Sequence, residues 1–259
     1  VSLEEISSSK QGLNLAIKHL SLKESCGLVL NNLCGRLAIN DKSVDFSQAI
    51  ISLNSSVIKA SKIAVNWNSQ DDLDAFVDKV IWKINIQPSK ILLSDIALLV
   101  PEMKGMHNRI ALQGNVSNTL SHLFINDLKL DYAKNTHIHA DLELPNFSDF
   151  SAYDFKEKIH SASVDMSELQ NFILPYPSGK LTLGDELNQL GIVRLANFSL
   201  TGNKGAATIA PTTIKTSLGD ASILQAIRFS TLNTELIIAP YIKESPSIAM
   251  RNFNLGKLL

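Results

Sequence analysis

The sequence predicts a mainly β protein: a long antiparallel sheet of twisted, bulged strands, with two short helical inserts. Three observations carry this. Apolar and polar residues alternate strictly over long stretches, the alternation slips by one residue at recurring places, and aliphatic residues outnumber what two short helices can cover. Alternation means strands with one dry and one wet face.

The clearest stretch is Leu123 to Leu144. Leu128, Leu130 and Tyr132 alternate with Lys129 and Asp131. After Ala133-Lys134-Asn135, Ile138, Ala140, Leu142 and Leu144 alternate with His137, His139, Asp141 and Glu143. Directly opposed residues share a face, so even must pair with even. A two-residue loop at Lys134-Asn135 mixes the faces. A three-residue loop, with Asn135 left-handed, pairs Tyr132 with Thr136 and Leu130 with Ile138, and is the reading taken.

The slip reads apolar-x-apolar-x-x-apolar-x-apolar. It occurs at Leu123-Ile125-Leu128-Leu130, Leu15-Ile17-Leu20-Leu22, Ile91-Leu93-Ile96-Leu98, Val193-Leu195-Phe198-Leu200 and Ile248-Met250-Phe253-Leu255, and more loosely from Leu28 to Leu37. The residue before the third apolar position is Asp127, His19, Asp95, Asn197, Asn252 or Asn32. Asn and Asp tolerate left-handed or bridge conformations. A tight hairpin wants Gly among its two turn residues and none has it. A β-bulge adds one residue and raises the twist, so bulged, coiled strands are expected. The copies are unevenly spaced, which excludes a fixed-period solenoid.

In chain order, Leu13 to Asp41 reads as strands broken near Glu24-Ser25, and Val44 to Trp67 continues the alternation. Ser69 then precedes Asp71 and Asp72, with Leu73, Phe76, Val77 and Val80 at helical spacing. A capping box and acids at the positive helix end predict a short amphipathic helix at about 70 to 80. Strands resume from Ile84 to Val100 and stop at Pro101, and Arg109 to Val116 alternates cleanly. Pro145 to Tyr153 is a break. Ile159 to Asp165 is a strand followed by a helical turn with Leu169, Phe172 and Ile173 on one side, ended by Pro175 and Pro177. Lys180 to Gly191 reads as a loop or weak strand, and strands return from Ile192 onward. No Ser- or Gly-rich linker divides the chain, so residues 1 to 259 read as one continuous β architecture with a possible seam near 175 to 180.

Composition narrows the function. A net charge of -1 without a basic stripe argues against nucleic acid. No apolar run approaches the ~20 residues of a membrane-spanning helix. No basic-then-apolar leader follows Val1, and the pattern is still running at Leu259; both ends read as cuts through a longer protein. Cys26 and Cys34 would be ~26 Å apart on one extended strand, and a turn at Asn31-Asn32 does not bring them together, so both are expected as free, packed thiols.

Chemistry-bearing motifs are sparse. His137 and His139 put two imidazoles on one strand face with Asp131 opposite His137, but nothing nearby supplies an obvious third metal ligand. Two histidines on a solvated face is the reading taken. No phosphate loop, GxSxG elbow or HExxH is present. Asp71, Asp72 and Asp74 read as a solvated first helical turn, and Trp67 and Trp82 are too few and too separated for a sugar platform. No catalytic residue, metal or cofactor is predicted. Something must nevertheless cover the aliphatic face, since exposing one Leu forgoes ~1.5–3 kcal/mol. A second sheet is one cover, as in a sandwich. A membrane barrel wants aromatic girdles, and aromatics are 6% of the chain. The third solution is a sheet folded over on itself, leaving a groove for an apolar guest.

The stretch RIALQGNVSNTLSHLFINDLKLDYAKNTHIHADLEL, with LSLKESCGLVLNNL, PSKILLSDIALLVPEM and FNLGKLL, resembles the TamB branch of the AsmA-like envelope proteins in its Bacteroides-like form. The likeness is strongest from Leu20 to Tyr132 and looser to Leu259. Within these residues no segment resembles that family's membrane anchor or C-terminal domain, and Cys26 stands where Ser is usual. The resemblance implies an elongated β-groove (β-taco) in the periplasm, within a parent anchored in the inner membrane and partnered with an outer-membrane barrel of the TamA type. It implies phospholipid transfer or outer-membrane protein and autotransporter assembly. The candidate lining for phospholipid acyl chains is Leu13, Leu15, Ile17, Leu53, Ile63, Val65, Leu112, Leu128, Leu130, Ile138, Leu142 and Leu144. The alternative is a β-sandwich binding or scaffold module that docks partner strands through its sheet edges.

Overall fold

The structure, a computed structural model, describes residues 2–9, 12–25, 27–146, 154–176, 178–203, 205–232, 235–240, 248–254 and 256. Among the described residues the protein is mainly β, with seventeen strands in antiparallel pairing and short helical inserts. The chain divides into two compact units. The first is Val1–Asn126 with Ile173–Gly179, the second Asp127–Phe172 with Lys180–Leu259. The division therefore runs through the Leu123 to Leu144 stretch, and 173–179 belongs with the first unit.

The first unit is a meander in which each strand pairs with the next. β1 (Ser2–Ser9), β2 (Gly12–Lys23), β3 (Val29–Asn40), β4 (Ser43–Ser52) and β5 (Val57–Asn66) precede helices α1 (Asp71–Asp74) and α2 (Phe76–Lys79). β6 (Ile81–Leu92), α3 (Leu93–Ile96), a 3₁₀ turn at Pro101–Met103 and β7 (Arg109–Thr119) follow. A turn at Leu120-Ser121 leads into β8 (His122–Tyr132).

Bulges set the register. Between Ile17 and Leu20, β2 spends one residue more than β3, and between Leu33 and Leu30 the excess is on β3. β4 carries its extra residue at Gln48, which has φ 52°, and β5 carries one opposite it at Ser61. On β6 the extra residue falls between Ile86 and Ser89, at Gln87-Pro88. Proline cannot donate to a ladder, so a bulge is where a strand tolerates it. Each inserted residue reverses the alternation in the sequence, and the dry face is kept in space.

Helix placement departs from expectation in three places. The helix at 70–80 is two single turns, because Ala75 (φ -108°, ψ 45°) interrupts it. Asp72 still closes half of the expected box, accepting the Ser69 N–H at 3.2 Å and the Asn68 N–H at 2.9 Å. The strand expected to reach Val100 ends at Leu92, and the Ile91-Leu93-Ile96-Leu98 copy of the slip is a helix, not a bulge. Its cause is tertiary: Asp95 turns inward to accept from Ser55 and Ser56 across the sheet. Within Lys180 to Gly191, read as loop or weak strand, lies α5 (Asp185–Gln189), preceded by α4 (Met166–Leu169).

The second unit continues the meander from the end of β8 through β9 (Thr136–Pro145), β10 (Asp154–Asp165) and β11 (Ile192–Asn203). The remaining strands are short: β12 (Ala206–Ile209), β13 (Thr212–Thr216), β14 (Gly219–Ile223), β15 (Ile227–Leu232), β16 (Glu235–Pro240) and β17 (Ile248–Arg251). β12 and β13 pair in turn with β11, as two halves of one strand interrupted at Ala210-Pro211. β15 and β14 pair with those halves in the same way. Within β11 Asn197 has φ 52°, and Asp127 in β8 and Asn252 after β17 have φ 50° and 53°. Three of the positions singled out in the sequence are thus left-handed.

The β8–β9 loop is Ala133-Lys134-Asn135, three residues as expected. The left-handed residue is Ala133 (φ 55°), not Asn135. The reason is Glu168 of α4, whose carboxylate accepts the N–H groups of Lys134 and Asn135 and the Thr136 hydroxyl at 2.7 Å. Asn135 also donates its side-chain amide to Asp165. With Asn135 held from two sides, the positive φ falls on the residue with the smallest side chain in the loop.

Candidate functional site

Side chains of paired residues project to one face, so the registers read out what each face carries. In the first unit one row runs Ile6, Leu15, Leu37, Phe46, Ile63, Ile84 and Val116 across β1 to β7. Beside it runs Leu13, Ile39, Val44, Val65 and Trp82. Beyond the bulges the same face carries Leu20, Leu33, Ile51 and Ile58, and Ala49, Ala60, Ile86 and Gly114. Gly35 lies in this face because the Phe46 ring sits on it: a β-carbon there would come within 2.9 Å of the ring.

The opposite face is polar. Ala16, Arg36, Ser47, Lys62, Asn85 and Asn115 form one row, in which the Asn85 amide donates to Asn115. A hollow of about 340 Å³ lies on this polar side of β1–β4, lined by Asn14, Arg36, Asp45 and Ser47 among others.

The aliphatic face is only partly covered by its own unit. Ile6 is 64% exposed, Leu22 51% and Leu13 37%. Leu15, Leu20, Leu33, Leu37, Phe46, Ile63, Val65, Ile84 and Leu112 are half-buried. Full burial in this unit falls on small side chains such as Ala49 and Ala60, and on Val80 beneath the end of α2. At that end Phe76 meets Trp82 edge-on at 5.8 Å. At the other strand end, Asn108 joins Ile173 through both its amide nitrogen and oxygen, and the Tyr176 N–H donates to Lys104.

In the second unit a row runs Ile138, Ala162, Leu195, Ile214, Ala221 and Met250. Another runs Leu142, Glu157, Leu200, Ile209 and Ile227. The wet side of β8–β10 is fixed by three imidazole–carboxylate pairs: His137 Nδ1 to Asp131 at 2.7 Å, His139 Nε2 to Asp127 at 2.7 Å and His160 Nε2 to Asp141 at 2.8 Å. Alternation from these pairs puts Leu128, Leu130, Ile138, Leu142 and Leu144 on the dry side.

The Asp131 carboxylate beside His137 raises that imidazole's pKa above its ordinary range. Asp141 is held below the carboxylate range, first by the Asp127 N–H and then, against the effect of burial, by His160. The His139 and His160 rings meet at a tilt of 46°, with centroids 4.8 Å apart. Among the described residues no group of three or more His, Cys, Asp or Glu side chains has the geometry of a metal site.

The residues expected as lining are thus brought together within each unit. Leu13, Leu15, Ile63, Val65 and Leu112 share the first unit's dry face with surface to spare. Ile17 (9% exposed) and Leu53 (7%) are buried, and support that face rather than line it. Cys34 is a free, half-buried thiol; Cys26 lies outside the described residues. Glu157, which sequence reading missed, is an ionisable residue set inside an aliphatic row. Its signal was a carboxylate at an apolar-parity position between Phe155 and Ile159.

No family model, curated protein or solved structure matches this chain.

Proposed function

We propose that this chain is a non-catalytic segment of a periplasmic lipid conduit, whose aliphatic sheet face shelters phospholipid acyl chains between the inner and outer membranes. One observation carries the reading: within each unit aliphatic rows cross strand after strand on one face, and in the first unit that face stays half-exposed. A sandwich would bury that face under a second sheet. A ~16-carbon chain loses ~0.8 kcal/mol per CH₂ on entering water, so carrying it unprotected costs on the order of 10 kcal/mol. A continuous aliphatic surface lowers that barrier without chemistry. Bulged strands suit the task, since each bulge bends and twists the sheet toward a trough.

The resemblance to TamB-like proteins favours the same reading. It adds a parent anchored in the inner membrane, an outer-membrane barrel partner of the TamA type, and support of outer-membrane protein assembly. Native mass spectrometry of protein purified without detergent tests it. Phospholipid masses bound to the wild type, and lost when Leu37 and Ile63 become Asp, are expected. A lipid-free wild type that binds no added phospholipid favours the scaffold reading, in which partner strands dock on sheet edges.

A further inference from the structure

The second unit's dry face contains one group that a passive aliphatic trough does not need. Glu157 of β10 pairs with Leu142 of β9 on one side and Leu200 of β11 on the other. Its same-face neighbours on those strands are Ala140, Leu144, Phe198 and Gly202, with Phe155 and Ile159 on its own strand, where the bulge at His160 shifts the register. The charged residues nearby stand on the opposite face: Lys156 is ion-paired with Glu143 at 2.8 Å, and Lys158 opposes Asp141. Among the described residues, none of the positions that register places on the dry face of β9 to β14 holds a cation. Glu157 is half-buried, and burial pushes its carboxyl above the ordinary range.

An ionised carboxylate bordered by aliphatic side chains is under-compensated, and the guest that compensates it carries both an apolar body and a positive head. We infer that the second unit's aliphatic face prefers apolar chains bearing an amine-type cation, seated with the cation against Glu157. This rests on the reading of the dry faces as guest surfaces, and adds charge selectivity to it. Burial of the chain is common to all guests of equal length; the ion pair, formed where water is partly excluded, separates them. Chains with anionic heads are disfavoured at the same place.

The test uses the full chain and two probes below their micelle concentrations, dodecyltrimethylammonium and dodecanol, followed by calorimetry and by amide shifts in the second unit. The expected result is about tenfold tighter binding of the cation, which is ~1.4 kcal/mol. That preference should disappear in both Glu157→Gln and Glu157→Leu, and persist in Asp131→Asn on the wet face. It should also grow as pH rises through the Glu157 titration, since only the ionised carboxylate pairs with the fixed cation. Equal binding of both probes by the wild type, or a preference that survives Glu157→Gln, overturns the selectivity while leaving the aliphatic surface intact. Failure of both probes to bind overturns the guest surface and the selectivity together.

Discussion

The Asp95 carboxylate accepts the Ser56 hydroxyl proton at 2.6 Å, tying α3 to the β4–β5 turn. Both residues are buried, the same carboxylate oxygen takes the Ser55 N–H at 2.8 Å, and Ser56 Oγ accepts the Leu92 N–H at 2.9 Å. The pair fixes one end of the first unit's dry face. Asp95→Ala leaves buried donors unsatisfied and is expected to cost roughly 1–3 kcal/mol in urea unfolding. Ser56→Ala should cost a similar amount, and the double variant less than the sum. Additive losses would show that the two residues act separately.

Glu168 gives the second unit an acid-sensitive clamp. Burial pushes its carboxyl upward, but the Thr136 hydroxyl and the Lys134 and Asn135 N–H groups outweigh this and hold it below the usual glutamate range. A depressed carboxyl contributes stability above its unfolded pKa and loses it as pH falls through the folded one. The protection factors of the Lys134 and Asn135 amides, each referred to the intrinsic exchange rate at the same pH, should therefore be high at neutral pH and fall as pH drops through the lowered Glu168 titration. Glu168→Gln should show low protection factors at both pH values, and unchanged protection in that variant would contradict the clamp.

Glu157 has the opposite sign. Its pKa is raised by burial, so ionising it opposes folding, and the penalty appears as pH rises from the unfolded pKa through the folded one. Glu157→Leu is expected to stabilise the second unit by about 1 kcal/mol at neutral pH, since a half-buried Leu returns part of its transfer energy. The gain should shrink in acid. A thermal-melt difference independent of pH would rule out ionisation as its cause.

The left-handed bulge residues make a backbone prediction. Asn197 has φ 52°, where a β-branched side chain collides with its own backbone. Asn197→Val should cost roughly 1–2 kcal/mol and Asn197→Gly little or nothing. Equal stability of the two variants, measured by denaturant midpoint, would contradict the bulge.

The strands and both faces of the sheet were legible because alternation is local: Leu13, Leu15 and Ile17, or Ile138 and Leu142, declare their side within a few residues. The bulges were legible where an apolar period slips beside Asn, Asp or His, as at His19 and Asn197. The same pattern misled at Asp95, because a strand bulge and a single helical turn both advance the dry face by three residues. What separates them is a hydrogen bond to Ser56, 39 positions away. Ala133 was missed as the left-handed loop residue for the same reason, since Glu168 immobilises Asn135 from another element. The helix at Asp185–Gln189 did carry a local signal, acids in its first turn with glycines at positions 184 and 191. Glu157 carried only a parity signal, a carboxylate between Phe155 and Ile159, and register then set it between Leu142 and Leu200.

Face-resolved photo-crosslinking in cells is the most direct test of the conduit. Benzoylphenylalanine placed at Ile63, on the aliphatic side of β5, and at neighbouring Lys62, on the polar side, samples opposite faces of the same strand. The account predicts phospholipid adducts from position 63 and none above background from position 62. Equal labelling from both positions, or protein adducts alone from position 63, would contradict it.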